Sequence, residues 1–307
     1  MARAQALNYV AHAGARSLKT GKSFEVGVIL PASSFGGSFV DPMYSVLLGG
    51  IDASLAQSGY RLMASTGRDG PIEQELARYR QYLRARWFDA YVLVRTQLRD
   101  ARVDLLLEHA IPFVTYGRTL DSDRHDWVDT DNEQAFKLMT QRQIDFGHRR
   151  IALLNGPAQY TFANLREKGY VMAMQQAGLE PDAHRPFNTG LTEQAGYELA
   201  SELLARPRPP TSLLCATDAM AIGAMAACRD RSLRVGSHIS VVGYGNSDAG
   251  RYASPALTTV GHQVAENGRH IGQLLIESLQ GSRARTSSYL EQVELIARDS
   301  DGPLAQV

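Results

Sequence analysis

Short, almost uninterrupted apolar runs recur along the chain, at residues 26–30, 60–64, 90–94, 112–116, 151–154, 212–216 and 239–243. Runs of this length, without polar alternation, predict strands buried on both faces of a parallel sheet. Between them lie longer stretches with helical spacing, at 43–57, 72–84, 133–146, 165–177, 193–204 and 219–229. Several of these stop at a glycine (Gly59, Gly147, Gly178), as helices do where the chain must turn left-handed. Strand and helix alternate throughout, which predicts an α/β fold with helices on both faces of parallel sheets. The beat repeats too often for one modest sheet. Two doubly wound subdomains, with a break around 127–132, are the economical arrangement. Ligands of such sheets sit beyond the carboxyl ends of the strands. Candidate contacts therefore fall at 31–44, Arg95, Gly117, Arg118, 155–166, Thr217, Asp218 and 244–248.

Composition narrows this picture only slightly. Lysine plus arginine (32) balances aspartate plus glutamate (32), so the whole chain exerts no net pull on nucleic acid or membrane. The balance is local, however. Residues 1–22 carry Arg3, Arg16, Lys19 and Lys22 and no carboxylate, and the first acidic residue is Glu25, so any polyanion affinity belongs to this end. No apolar run approaches the roughly 20 residues of a membrane span, and residues 1–23 lack the apolar core of a secretory signal. A cytoplasmic protein is expected. Cys215 and Cys228 have no Cys or His at ligand spacing and read as buried thiols, with no metal site.

Enzyme motifs fail on inspection. Gly21-Lys22-Ser23 ends like a phosphate-binding loop, yet the required upstream glycine is Arg16 and the segment precedes a strand instead of following one. The run 243–248 begins like a dinucleotide fingerprint, but its third glycine is Asp248 and Pro255 interrupts the helix that should follow. No G-x-S-x-G or H-E-x-x-H pattern occurs. His125 sits in a charged turn, and His148 closes a helix where cations suit the dipole. No catalytic residue and no cofactor is expected.

Several segments, in order, resemble the lac repressor and galactose repressor family of bacterial transcription regulators. Tyr9 to Gly21 is similar to the hinge helix that follows the family's helix-turn-helix headpiece. Asp41-Pro42-Met43-Tyr44 resembles the entry to the first core helix. Asp131-Asn132, the run 146–157 (Phe-Gly-His-Arg-Arg-Ile-Ala-Leu-Leu-Asn-Gly-Pro) and Arg166 to Tyr170 follow at the family's spacing, and 239–244 with 254–260 complete the set. The resemblance implies a core like that of type I periplasmic sugar-binding proteins, with an effector between two subdomains. It places residues 1–23 as headpiece remnant and hinge, 24–130 plus 264–287 as the N-subdomain, and 131–263 plus 288–307 as the C-subdomain. The chain should cross near Asp129, return near His262 and cross again before a final strand around Tyr289.

Family positions assign DNA contacts to Ala15, Arg16, Ser17, Leu18 and Lys19, with Leu18 wedged into the minor groove of operator DNA. Ala11 and His12 replace the family's usual proline and asparagine, and Met1 falls within what would be the last headpiece helix, so the base-reading element is not among these residues. The same carry-over assigns the effector site to Tyr44, Asp131, Tyr160, Phe162, Arg166, Leu191 and Thr217. Aromatic faces for ring edges and an arginine fork for hydroxyls suit a small carbohydrate. Gly245 and Asn246 stand where the family often has a gripping aspartate, so Asn246 or Asp248 is expected to supply that bond. Residues 115–118 with 129–134 look most like α-glucoside-type regulators. The expected function is an effector-responsive regulator acting as a homodimer. The alternatives are a sugar receptor of a transporter and a paralogue without DNA binding.

Overall fold

Val26, Val28 and Leu30 alternate with Gly27 and Ile29 in β1 (Glu25–Leu30), where all but the first residue are buried. Helices lie on both faces, as a run apolar on each side requires. In the computed structural model, which describes residues 20–31, 42–67, 71–181, 190–282 and 285–304, β1 lies one strand in from the edge of a six-stranded sheet. Its partners are β2 (Arg61–Thr66), β3 (Ala90–Val94), β4 (Phe113–Tyr116), β5 (Asp126–Thr130) and β10 (Ser288–Glu291), in the order β10-β5-β4-β3-β1-β2, all parallel. Helices α1 (Pro42–Ala56), α2 (Ile72–Ala85), α3 (Ala101–Glu108) and α9 (Val264–Leu279) belong to this first subdomain.

A second sheet holds β6 (Ile151–Leu154), β7 (Ser212–Cys215), β8 (Ser240–Tyr244) and β9 (Thr258–Gly261) in parallel, with β11 (Glu294–Ile296) antiparallel on β9. Its helices are α4 (Asn132–Asp145), α5 (Thr161–Gln176), α6 (Glu193–Leu204), α7 (Asp218–Asp230) and the short α8 (Asp248–Arg251). Each sheet has its own apolar cores on its two faces, for example Val26, Leu47, Ile51 and Val92 in the first and Leu154, Leu213, Ala224 and Val241 in the second.

Glycines set the closest helix contacts. A side chain on Gly50 of α1 would strike the Ala265 carbonyl and Gly268 of α9, and one on Gly268 would strike Leu47. Gly196 and Gly223 play the same part between α6 and α7. Backbones therefore meet directly in both seams.

The chain passes between sheets three times: after Thr130 into α4, after Gly261 into α9, and after Glu291 into β11. The last passage corrects one expected boundary. Ser288–Glu291 pair with residues 127–130 of β5, so this strand belongs to the first subdomain and the crossing follows Tyr289 instead of preceding it. The reason is geometric: α9 lies on the first sheet, and the chain returns along that sheet's open edge before it can leave. Residues 127–130, expected as a break, are a strand that ends at the crossing.

Both ends of the described chain are pinned by carboxylates. Ser23 N–H and Phe24 N–H donate to the Asp89 carboxylate at 2.8 and 2.9 Å. Buried Asp301 accepts from Arg142 Nε (2.6 Å), Gln143 Nε2 (2.9 Å) and Thr258 Oγ1 (2.6 Å), which ties the final segment to the second subdomain.

Candidate functional site: a cleft at the strand ends

Arg166 lies in the second turn of α5, only 7% exposed. Side chains of a helix lean toward its N-terminus, and α5 starts at the carboxyl edge of the second sheet, so the guanidinium is aimed back at the strand ends. Its Nε donates to Asn132 Oδ1 (2.8 Å) and one terminal nitrogen to the Ala216 carbonyl (2.6 Å). Three aromatic rings surround it, with the guanidinium carbon 4.1 Å from the Tyr244 centroid, 4.7 Å from Phe162 and 5.5 Å from Phe136. Burial pulls its pKa below the ordinary arginine value, partly offset by the Tyr244 hydroxyl. No carboxylate hydrogen-bonds it among the described residues; its anchors are neutral oxygens and π faces.

A polar line runs from this arginine into the other subdomain. Asn132 accepts from Arg166 and donates through Nδ2 to Asp129 Oδ1 (3.2 Å), and Asp129 Oδ2 accepts from Arg118 Nε (2.8 Å). Burial raises the Asp129 pKa despite the arginine beside it. Arg118 also lies over Trp127, 5.6 Å from its centroid.

The other expected contacts distribute unevenly. Tyr160 caps the start of α5 and stacks on Phe162 (centroids 5.5 Å, planes 11° apart), with Arg95 of the first subdomain 5.9 Å from the Tyr160 ring. Here the two subdomains touch: Thr161 N–H donates to the Thr96 carbonyl (3.0 Å), and Gln97 forms a β-bridge with Tyr160. Thr217 caps α7 by accepting from Met220 N–H (3.1 Å), and its hydroxyl donates to the Leu191 carbonyl (3.3 Å), which places Leu191 against the same wall. Asp131 caps α4 through Gln134 N–H (3.0 Å). Tyr44 is buried among Val26, Leu30 and Leu47 in the first core.

Asn246, at φ 53°, turns its Oδ1 to Arg298 (2.6 Å). Asp248 opens α8 exposed. The buried carboxylate that holds that loop is Asp218, at the start of α7, which accepts from Thr259 Oγ1 and Ser247 N–H, both at 2.6 Å, and whose pKa burial raises. Ala15, Arg16, Ser17, Leu18 and Lys19 lie outside the described residues.

The effector set carried over from the family omits Asn132, Asp129 and His262, which the fold gathers around Arg166 together with Tyr244, the first of the expected strand-end contacts 244–248. His262 follows β9 and stacks on Tyr244 (5.1 Å, 23°), the ring that also meets Arg166. Its Nδ1 has no hydrogen-bond partner among the described residues, and burial, helped by the Arg166 charge, pushes its pKa down to about 4, so the ring is neutral at physiological pH. One cue was readable: Asp129, Asn132 and His262 all adjoin the expected crossings. No grouping of three His, Cys, Asp or Glu side chains fit to hold a metal occurs among the described residues.

Two parallel α/β subdomains joined by three crossings, with a buried arginine and stacked aromatics at their facing edges, define a bilobal ligand-binding core. The model of the periplasmic binding protein-like domain matches residues 140–300. The transcriptional regulator AglR of Rhizobium meliloti (strain 1021) is 30% identical over 96% of this chain and 83% of its own length. The structure of the regulator CelR in complex with cellobiose superposes with a TM-score of 0.83 at 28% identity, covering 97% of this chain and 88% of that one. The lac repressor dimer bound to operator and the anti-inducer ONPF gives 0.83 at 24%, covering 97% and 100%, a likeness that speaks for the fold. The chain belongs to the lac repressor (LacI) family of transcriptional regulators. The relatives are regulators, which sets the transport-receptor alternative aside. No described helix is long and apolar enough to cross a membrane.

Proposed function

We propose that this chain is a cytoplasmic, homodimeric regulator whose core binds a small carbohydrate between its subdomains and thereby alters affinity for operator DNA. The carrying observation is the line Arg166–Asn132–Asp129–Arg118, which spans both subdomains beside the stacked rings of Tyr160 and Phe162. Aromatic faces cover the apolar faces of a sugar ring, and an arginine held by neutral acceptors has donor capacity to offer hydroxyls. A ligand bridging the line favours one relative angle of the subdomains, and coupling to DNA follows from its differential affinity for the two angles. CelR was captured with cellobiose and the lac repressor as a dimer on operator, which supports both halves of this reading. The site is read as binding and not catalytic, since among the described residues around Arg166 no nucleophile–base pair is formed.

Tyr160, Phe162, Arg166, Leu191 and Thr217 form the proposed ligand wall, with Asp131 at its rim. Tyr44 from α1, with Asn246 and Asp248 from the segment that opens α8, completes the proposed effector site. Residues 15–19 supply the proposed DNA contacts, with Leu18 in the minor groove and its neighbours on the backbone. Calorimetry against a panel of mono- and disaccharides, cellobiose included, tests the site: one sugar binds, and Arg166→Ala weakens it at least about 100-fold, near 2.7 kcal/mol. Unchanged affinity in that variant sinks the placement.

A further inference from the structure

Glu291, the last residue of β10, is 4% exposed and sits where the chain leaves the first sheet for the last time. Its carboxylate touches the other two crossings. Oε2 accepts from Thr130 Oγ1 (3.1 Å), at the first crossing, and from Asn267 Nδ2 (2.6 Å), in the first turn of α9 after the second. Oε1 accepts from Gln263 N–H within the second crossing itself. The Glu291 carbonyl accepts from Asp131 N–H (2.9 Å), back at the first. All three strands of the junction are thus hydrogen-bonded to one residue, and among the described residues every partner of its carboxylate is neutral. A buried carboxylate with no hydrogen-bonded cation is costly, and such a group persists where its several acceptor sites satisfy donors that nothing else nearby would.

We infer that Glu291 is the positioning residue of the junction: it sets the relative angle of the two subdomains before any ligand arrives. Three donors from two crossings converge on two oxygens, so rotating one crossing against another lengthens at least one of these bonds. The carboxylate thereby makes one angle the resting state and resists the rest. The residue is not a ligand contact, and the inference stands on the chain connections whatever effector the cleft takes.

The test therefore needs no effector. Spin labels at R80C, on the outer face of α2, and Q176C, at the end of α5, report the distance between subdomains; both sites are exposed, while Cys215 and Cys228 are buried. Glu291→Met keeps the length of the side chain and removes both acceptors, and Glu291→Gln keeps one. In the ligand-free full chain, the parent gives a single narrow distance. E291M adds a second distance in about a tenth or more of the molecules, and E291Q falls between the two. Should E291M fail to fold, Thr130→Val removes one donor and is expected to broaden the distribution in the same sense. Distributions for E291M or T130V that superimpose on the parent overturn the inference.

Discussion

Each subdomain buries an arginine, and the two are held in opposite ways. Arg102, 5% exposed at the start of α3, grips the Asp100 carboxylate with two nitrogens (2.9 and 2.7 Å), reaches Glu75 (3.1 Å) and donates to the carbonyls of Val94 and Arg95. Burial alone would lower its pKa, but the Asp100 hydrogen bonds reverse the sign; Asp100 in turn stays below the ordinary carboxylate value against its own burial. Arg166 is equally buried, yet its direct hydrogen bonds go to neutral groups, and its pKa falls. Both are cations out of water. A cation already matched by carboxylates is a fixture of the fold, whereas one left with amides and rings keeps its field available to something that comes and goes.

The contrast can be broken most forcefully at Asp100. Asp100→Ala leaves Arg102 buried and unmatched, with an expected loss of about 3–5 kcal/mol in denaturant unfolding. Because the folded pKa of Asp100 is lowered, its contribution is fully present above the unfolded value of about 3.9 and is lost as pH falls through the folded value. The variant should therefore show a shallower acid limb. A cost below 1 kcal/mol, on the order of an exposed pair, would remove the distinction drawn here.

Next comes the ring beside Arg166. His262 must be neutral in the fold but takes a proton near pH 6.5 when unfolded, so the unfolded chain binds more protons between that value and about 4. Stability falls on acidification across this window, by on the order of 3 kcal/mol at most from this one residue. Thermal midpoints of His262→Gln measured from pH 7 to 4 should decline less than those of the parent; parallel curves would contradict the assignment.

Arg166→Met should change unfolding free energy by less than about 1.5 kcal/mol, since lost hydrogen bonds are offset by release from desolvation, while Arg102→Met costs roughly twice that or more. Equal losses in the two variants would erase the contrast. The smallest effect is expected on the surface, where Arg61, 63% exposed, meets Glu25 at 2.7 Å. Glu25→Ala should cost no more than about 0.5 kcal/mol and nothing measurable in high salt.

Much of this architecture was legible before the structure. β1, β3, β6, β7 and β8 announce themselves because strands covered on both faces must be apolar throughout. Asp126–Thr130 does not, because its carboxylates serve the junction: Asp126 accepts from Ser287 N–H (2.7 Å) and Asp129 from Arg118. The short α3, with Arg102 and Asp104 in its first turn, carries too little apolar periodicity to stand out. In the cleft, Arg166 was readable from its place after a strand and its family spacing. Tyr244 was readable in the same way, as the first residue of the strand-end contacts 244–248, but Asn132 and Glu291 were not, since each acquires its role from residues far away in the chain, and no local pattern records such meetings.

Backbone rests on backbone where Gly50 of α1 faces Gly268 of α9, and that contact makes the two helices one stiff lever arm. The arm begins at Gln263, in the second crossing, and α1 carries it to the first sheet, whose β1 starts two residues after Ser23. Under the proposed mechanism, a turn at the crossing is passed along this close seam toward the first sheet, from which the basic segment leads off. Packing this tight would then govern the gearing of the response: a methyl at Gly268 pushes against the Leu47 carbonyl and offsets the arm before any sugar is bound. A regulator altered in that way would keep its pocket and lose its calibration.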